Sequence, residues 1–223
     1  MNEITFKDLT IFHIYKSNLK NSYISVNPQA KIVLKTPKVS QIYIKNLLIE
    51  KEIWIRRQLL KAKENPQIKI SLEDEVLLFG DIYSIDIQEA SELRKLLEIK
   101  KTNSLNNISK CYDEFYKFYA SEYLTKRLIF FSKIMELDYR EVKFRKMKSR
   151  WGSCSSLRVI TFNSELIKVK KELIDYVVVH ELAHLVHMNH SKNFHALVDK
   201  YISNSKEIRK ELKSTNLSRY CLV

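Results

Sequence analysis

The chain has 223 residues, of which 45% are hydrophobic, a composition typical of a globular protein with a substantial core. No apolar run reaches the roughly 18 residues that a membrane span needs, and the first residues lack a signal-peptide pattern, so we expect neither a membrane segment nor secretion. Three widely spaced cysteines, Cys111, Cys154 and Cys221, form no CxxC pair and favour free thiols in the cytoplasm over a disulfide framework.

The net charge of +13 is unevenly distributed. Residues 1–100 contain 16 basic and 13 acidic residues, whereas residues 101–223 contain 23 and 13. A basic C-terminal half is compatible with a nucleic-acid partner. Because lysine dominates the excess, a general bias in composition explains the charge equally well, and charge alone does not establish this partner.

The first hundred residues predict short strands and one helix. Apolar residues at 24–26 and 32–34 flank a turn at 27–30, and those at 76–78 and 82–87 flank Gly80-Asp81, so both stretches predict hairpins. Between them, residues 40–64 predict a helix that Ser40 caps and that ends at Asn65-Pro66. Its apolar face is predicted to contain Ile44, Leu47, Leu48, Trp54 and Leu59.

Residues 89–105 are polar, which predicts a domain boundary near residue 102. Residues 1–102 would then form a β-rich N-terminal region with one helix, and residues 103–223 a second domain. This second domain is predicted to begin with a long helix at 106–136. Two strands around a turn at 153–156 follow, then a helix at 171–188 and helical structure within 191–213.

The sequence HELAHLVHMNH at 180–190 is the main functional signal. The predicted helix is apolar nearly all round, so polar groups within it need compensation. His180 and His184 lie one turn apart and can reach one ion, with Glu181 beside them. This is the HExxH arrangement, in which two histidines bind Zn²⁺ and the glutamate takes a proton from zinc-bound water. The zinc lowers the pKa of that water to about 7 and polarises the scissile carbonyl.

A catalytic zinc needs a third protein ligand and one open position. His187 lies about 10 Å along a straight helix from His180, too far to share the ion. We therefore expect the helix to end, with Asn189 in the left-handed conformation, so that the chain turns back and His190 becomes the third ligand. His187 would pack or hydrogen-bond nearby, and Glu207 stays open as an alternative ligand.

Several stretches together resemble the YgjP-like zinc metallopeptidases, a family related to the SprT-like and Wss1-like zinc proteases: KEIWI, LFGDIYSIDI, SRWGSCSS at 149–156, ITFNSELI at 160–167 and DYVVVHELAHLVHMNHSKNF at 175–194. The resemblance implies an α+β fold, in which a zincin-like domain with a twisted sheet and an active-site helix follows a β-rich N-terminal region. It also implies zinc on His180, His184 and His190, with Glu181 catalytic.

By the same resemblance, the strand Val159–Asn163 borders the substrate cleft. An extended peptide would pair with its edge, which makes Val159, Thr161 and Asn163 candidate substrate-binding residues. Arg150 is a candidate for binding an oxyanion or a substrate carboxylate, with a structural arginine as the alternative. His195 stands where the family pattern leads us to expect tryptophan, so an additional ligand and a packing role both stay open.

Three functions follow from these residues. The first is a zinc-dependent peptidase that acts on proteins or peptides, with nucleic-acid-associated proteins as a candidate substrate class. The second, which the resemblance also implies, is a metal-dependent nucleoside triphosphate (UTP) pyrophosphatase. The phosphates of its substrate would bind to the six cationic side chains of residues 140–150. Histidine ligands speak against it, because magnesium prefers carboxylates. The third is a non-catalytic binding protein with a closed zinc site that His187 or His195 completes.

Overall fold

The computed structural model describes residues 2–27, 29–64, 68–72, 74–100, 104–215 and 220–222. Contacts divide the chain into two compact units, one built mainly from Met1–Ile68 and the other from Lys69–Leu217. The domain boundary predicted near residue 102 falls outside the described residues and within the span of the second unit. The boundary near residue 102 therefore stays a prediction, namely that the two parts of the chain on either side of it fold as separate domains.

The first unit contains a four-stranded sheet and one long helix. Its strands are β1 (Asn2–Phe6), β2 (Leu9–Tyr15), β3 (Tyr23–Val26) and β4 (Ile32–Thr36), in the order β1-β2-β4-β3. Strands β3 and β4 are antiparallel with Ile24 opposite Leu34, which confirms the first predicted hairpin. Strands β2 and β4 are parallel.

Helix α1 (Gln41–Glu64) confirms the predicted helix, and the Ser40 hydroxyl accepts a hydrogen bond from the Tyr43 amide at 3.2 Å. Its buried residues are Ile44, Leu48 and Ile55. Trp54 was predicted on this face but is 40% exposed, because Ile55 occupies the buried position one residue later. Asn65-Pro66, predicted to end the helix, lies outside the described residues.

Strand β5 (Ile68–Ile70) pairs with β11 (Tyr220–Leu222). In the second unit, β6 (Glu75–Leu78) and β7 (Asp81–Ser84) form the second predicted hairpin, which ends at Ser84, before the predicted 87. The polar stretch that follows contains helix α2 (Ser91–Lys100), whose Leu93 is buried. Helix α3 (Leu105–Met135) confirms the long helix predicted at 106–136.

Three strands follow where two were predicted. They are β8 (Glu141–Arg145), β9 (Gly152–Cys154) and β10 (Val159–Asn163), in the order β8-β10-β9. Strand β10 is parallel to β8 and antiparallel to β9. Because β10 has a partner on both sides, the prediction that a peptide pairs with the edge of β10 is wrong. Within the part of the chain that the structure describes, the free edges of this sheet belong to β8 and β9.

The last helices are α4 (Lys171–Ala183), α5 (Lys192–Tyr201) and α6 (Ser205–Ser214). The helix predicted at 171–188 ends at Ala183, and the structure found within 191–213 is two helices interrupted at Asn204, where φ is +56°. A buried cluster joins α3, α4 and β10 through residues such as Phe115, Leu128, Phe162, Val178 and Leu182. None of the described helices is long and apolar enough to cross a bilayer.

Candidate metal centre

Three imidazoles converge where α4 ends. His180 lies in the last turn of α4, His184 is the residue just after it, and His190 comes from the loop that follows. One nitrogen from each ring lies within 4.8 Å of the others, and Nε2 of His180 is 3.1 Å from Nε2 of His190. The structure thus brings together the three residues that the sequence predicts as ligands.

The chain reaches this arrangement by a different route from the predicted one. The helix ends at Ala183, so the residues up to His190 are available to turn back. Asn189 is not among the described residues with positive φ, and the prediction that it adopts the left-handed conformation is wrong. The early end removes the distance limit that a straight helix would impose on His190.

The protonation of the histidines suits a metal. Nδ1 of His184 lies 3.0 Å from the His187 carbonyl oxygen, so Nδ1 donates this hydrogen bond and Nε2 is the ring nitrogen left to bind a metal. Burial lowers the pKa of His180 to about 3 and also lowers the pKa of His190, so both rings are neutral at pH 7. Nδ1 of His180 is buried without a hydrogen-bond partner in the described structure. Three converging imidazole nitrogens are a donor set that fits Zn²⁺.

The ring of Phe194 packs against all three histidine rings. Its side chain is fully buried, and its ring centroid lies 4.8 Å from that of His180, 4.6 Å from His184 and 4.8 Å from His190. The Ser191 hydroxyl caps α5 by accepting a hydrogen bond from the Phe194 amide at 3.3 Å. The sequence motif contains both residues, but its spacing did not reveal this packing role.

Glu181 is a buried carboxylate beside the histidines. It is only 4% exposed, and its Oε2 has no hydrogen-bond partner among the described residues. Burial raises the pKa of Glu181 to about 8, and the positive charge of Arg150 opposes this shift. A buried, unpaired carboxyl group is costly and is found mainly where function requires it.

Gly152 of β9 packs directly against this carboxylate. A Cβ atom added to Gly152 would lie 2.5 Å from Oε1 of Glu181, which is well inside van der Waals contact. Within the RWGSC segment, a candidate role was predicted for Arg150 but not for this glycine. The structure shows that glycine is needed here so that the backbone of β9 can approach Glu181.

Asn163 was predicted to bind substrate, but its side chain is fully buried and used internally. Its Oδ1 accepts hydrogen bonds from the Met147 and Glu165 amides, both at 3.1 Å. Its Nδ2 donates to the carbonyls of Met147 at 2.8 Å and Arg150 at 2.9 Å. Asn163 therefore positions the loop that leads into β9.

The other three predicted substrate residues differ in how exposed their side chains are. Val159 and Thr161 lie in the central strand, and Thr161 is 9% exposed, which leaves little surface for a ligand. Arg150 is exposed, and its charge acts on Glu181. Of the four predicted substrate residues, Arg150 is the one with a solvent-accessible side chain near the metal centre.

His195 and Glu207 are not part of the metal-binding group found in the described residues. Nε2 of His195 instead lies 3.2 Å from Nη1 of Arg209 on α6, so Arg209 donates to it. The positive charge of Arg209 contributes to the lowered pKa of His180 and of His190. No sequence pattern identifies Arg209, because its proximity to the histidines depends on how α6 packs against α4.

Cys154 does not have the properties of a nucleophile. Burial raises the pKa of its thiol to about 11, and its Sγ contacts the Ser155 carbonyl at 3.6 Å. A reactive cysteine needs a lowered pKa. The thiol is thus protonated at neutral pH.

Comparison with known proteins gives a family and a small set of similar structures. The metallopeptidase zymogen of Pyrococcus abyssi abylysin is 25% identical, covers 41% of this chain and 92% of its own, and has a TM-score of 0.38. The zymogen of Methanocaldococcus jannaschii jannalysin is 20% identical, with coverages of 40% and 93% and a TM-score of 0.37. None of the curated proteins matches the chain.

The family model for the YgjP-like metallopeptidase domain matches residues 20–215, which is most of the chain. The α+β architecture, with a sheet beside the helix that contains the histidines, agrees with the zincin-like domain expected from the sequence. The protein therefore belongs to the YgjP-like metallopeptidases.

Proposed function

We propose that this metallopeptidase is a zinc-dependent endopeptidase in which His180, His184 and His190 hold the metal and Glu181 is the general base. The observation that supports this proposal is the convergence of three imidazoles beside a buried carboxyl group whose Oε2 has no hydrogen-bond partner among the described residues. Three nitrogen ligands favour zinc over magnesium or calcium, which prefer oxygen.

His180, His184 and His190 would hold the zinc, which when bound would supply a Lewis acid and lower the pKa of a water molecule to about 7. Glu181 is placed to accept a proton from the attacking water and to return it to the leaving amine. Its pKa of about 8 applies to the metal-free protein, and a nearby dication favours the ionised form that a base requires. The positive charge of Arg150 acts in the same direction, because it lowers the pKa of Glu181.

We further propose that the peptide substrate pairs with the free edge of β9. The Asn163 amide donates to the Trp151 carbonyl at 2.8 Å, and the Ser155 amide donates to the Val159 carbonyl at 3.0 Å. Residues alternate in an antiparallel pair, so the main-chain groups of Gly152 and Cys154 point away from β10. An extended chain paired with them would run past Glu181, which Gly152 contacts.

The direct test is to incubate the zinc-loaded protein with an unfolded protein and to identify products by mass spectrometry, with and without single-stranded DNA. Internal cleavage supports the endopeptidase. Stimulation by DNA would support nucleic-acid-associated substrates, for which the net charge of +13 is the basis. Phosphate release from UTP without any proteolysis would favour the pyrophosphatase instead. The cytoplasmic location stays a proposal, supported by the free thiols of Cys111 and Cys154.

Zinc binding should distinguish the ligands from their neighbours. We expect His190→Ala to weaken zinc affinity by more than about 100-fold, because loss of even an outer-shell partner costs about 10–100-fold. His187→Ala should change affinity little, since His187 contacts His184 only through its main-chain carbonyl. Competition with a chromophoric chelator measures both. Release of zinc by His187→Ala or His195→Ala would instead indicate a closed four-histidine structural site.

A further inference from the structure

A groove lies between α3 and β8. It has a volume of about 590 Å³ and is lined by Lys117 and Phe118 of α3 and by Lys143, Phe144 and Arg145 of β8, among others. Successive strand residues point to opposite faces of a sheet, so a cavity lined by three consecutive residues must run along the edge of the strand. We call this cavity the β8 groove.

The main chain of β8 is unpaired on the groove side. Strand β8 is the terminal strand of its sheet within the described structure, with β10 as its one neighbour. The Arg140 amide donates to the Arg158 carbonyl at 2.9 Å, so Arg140 faces β10. By alternation, the N–H and C=O groups of Glu141, Lys143 and Arg145 face away from β10. A second extended polypeptide can satisfy such a row of donors and acceptors.

The side chains of the groove combine an apolar surface with unpaired positive charge. Phe118 is 50% exposed, and Phe144 is held in place by stacking on Phe162 at 6.2 Å. Within the described part of the chain, Lys117 and Arg145 have no ion-pair partner. The remaining charges are matched: Lys143 with Glu141 at 3.2 Å, and Glu114 with Lys100 at 2.7 Å. The complementary ligand is therefore acidic with apolar side chains.

We propose that the β8 groove binds an extended acidic peptide segment, which pairs with β8 as an added strand and places an apolar side chain on Phe118 and Phe144. Strands β8 and β9 flank β10 on opposite sides, so a segment bound here lies on the other edge from the candidate metal centre. The groove is thus an anchoring surface for protein partners. The idea that these partners are substrates rests on the proposed endopeptidase function. The proposed peptide binding does not depend on that function.

A polynucleotide is the other class of anionic ligand, and the geometry favours the peptide. Cations and an exposed aromatic ring serve both ligands. A row of alternating main-chain donors and acceptors, however, matches only another polypeptide.

The test is fluorescence anisotropy with the full-length, zinc-loaded Glu181→Gln variant, which binds without cleaving. The probe is an eight-residue peptide in which glutamate alternates with valine or phenylalanine. We expect binding to weaken about tenfold in a Lys117→Glu/Arg145→Glu double variant, because two attractive charges become repulsive. Lys126→Glu, also exposed on α3 but outside the groove, is the matched control and should bind normally.

Two further probes separate the mechanisms. A peptide N-methylated at alternate residues loses the main-chain donors and should also bind at least about tenfold more weakly. An oligothymidylate that binds more tightly than the peptide, and that the double variant no longer binds, would assign the groove to nucleic acid. No peptide binding, or binding that neither the double variant nor N-methylation weakens, overturns the proposal.

The two proposals can fail separately. If the wild-type protein cleaves an unfolded protein but the probe peptide does not bind, the β8 groove is excluded and the endopeptidase stands. If the probe binds as expected but the wild type cleaves nothing, the groove stands and the endopeptidase proposal fails.

Discussion

Replacing Glu181 with Gln is expected to lower peptide hydrolysis by at least about 1,000-fold, within the range of about 10²–10⁴-fold that a general base contributes. The amide keeps the shape of the side chain but cannot accept the proton. Zinc content should stay at the wild-type level, because Glu181 does not belong to the converging histidine group. Turnover of an internally quenched peptide and metal analysis measure the two effects.

Glu172→Gln is the matched control for this variant. Glu172 lies in the first turn of the same helix and is exposed, so the same chemical change there should leave turnover unaltered. Equal turnover by the wild type and Glu181→Gln would remove Glu181 from the mechanism. Loss of zinc from Glu181→Gln would show instead that the carboxylate is needed to build the metal centre.

The same pair of proteins should differ in how pH affects stability when no metal is bound. Burial raises the pKa of Glu181 from 4.5 to about 8, so the folded state binds this proton more tightly than the unfolded chain. Protonation of Glu181 makes its full contribution to the free energy of unfolding below pH 4.5, and this contribution is lost as the pH rises through 8. We expect Glu181→Gln to become the more stable protein, relative to wild type, as the pH increases over this interval.

Urea unfolding between pH 6 and 9, with a chelator present, measures this difference. His180 acts in the opposite sense, since its pKa is lowered to about 3 and its contribution is lost as the pH falls below 6.5. Both proteins contain His180, so this effect cancels in the comparison. Parallel stability curves for the two proteins would show that the Glu181 carboxyl is not desolvated.

Gly152→Ala is expected to lower kcat about 100-fold, since displacing a catalytic group by about 1 Å is enough for such a loss. The new Cβ would lie 2.5 Å from Oε1 of Glu181 and must push the carboxylate or β9 aside. Zinc affinity should be retained, because the three histidines are in α4 and the following loop. Steady-state kinetics and chelator competition measure these quantities.

Ser153→Ala, at the next position of β9, provides the matched control, because it removes side-chain atoms without adding any. A double-mutant cycle with Glu181→Asp tests the mechanism further. The shorter carboxylate should leave room for the methyl group, so Gly152→Ala should cost less activity in that background. An equal loss in both backgrounds would mean that the methyl group acts on β9 or the substrate and not on Glu181.

Much of the candidate metal centre could be predicted from the sequence because its first part lies at the end of one helix, where the C-cap His184 still has helical backbone angles. The rise and rotation of a helix place His180 and His184 on one face, whatever packs around them. Periodicity likewise predicted α1 and α3, and alternation around turns predicted the hairpins at β3–β4 and β6–β7. These features depend on residues that are close in the chain.

Other features depended on contacts between elements, and there the sequence was a poor guide. Local alternation identifies a strand but not its neighbours. The strand β10 was therefore predicted to be an edge strand, whereas it lies between β8 and β9. The structure brings His190 to His180 and His184 as expected, although the helix ends at Ala183 and Asn189 does not adopt the left-handed conformation.

The sequence by itself determined the chemical groups of the candidate metal centre: two histidines and a glutamate at helical spacing, followed by a third histidine. The tertiary structure decided what surrounds that chemistry. The approach of Gly152 to Glu181, the internal hydrogen bonds of Asn163 and the contact of Arg209 with His195 each join distant segments. Such contacts arise when elements pack against one another. The distance between two residues in space cannot then be predicted from their separation along the chain.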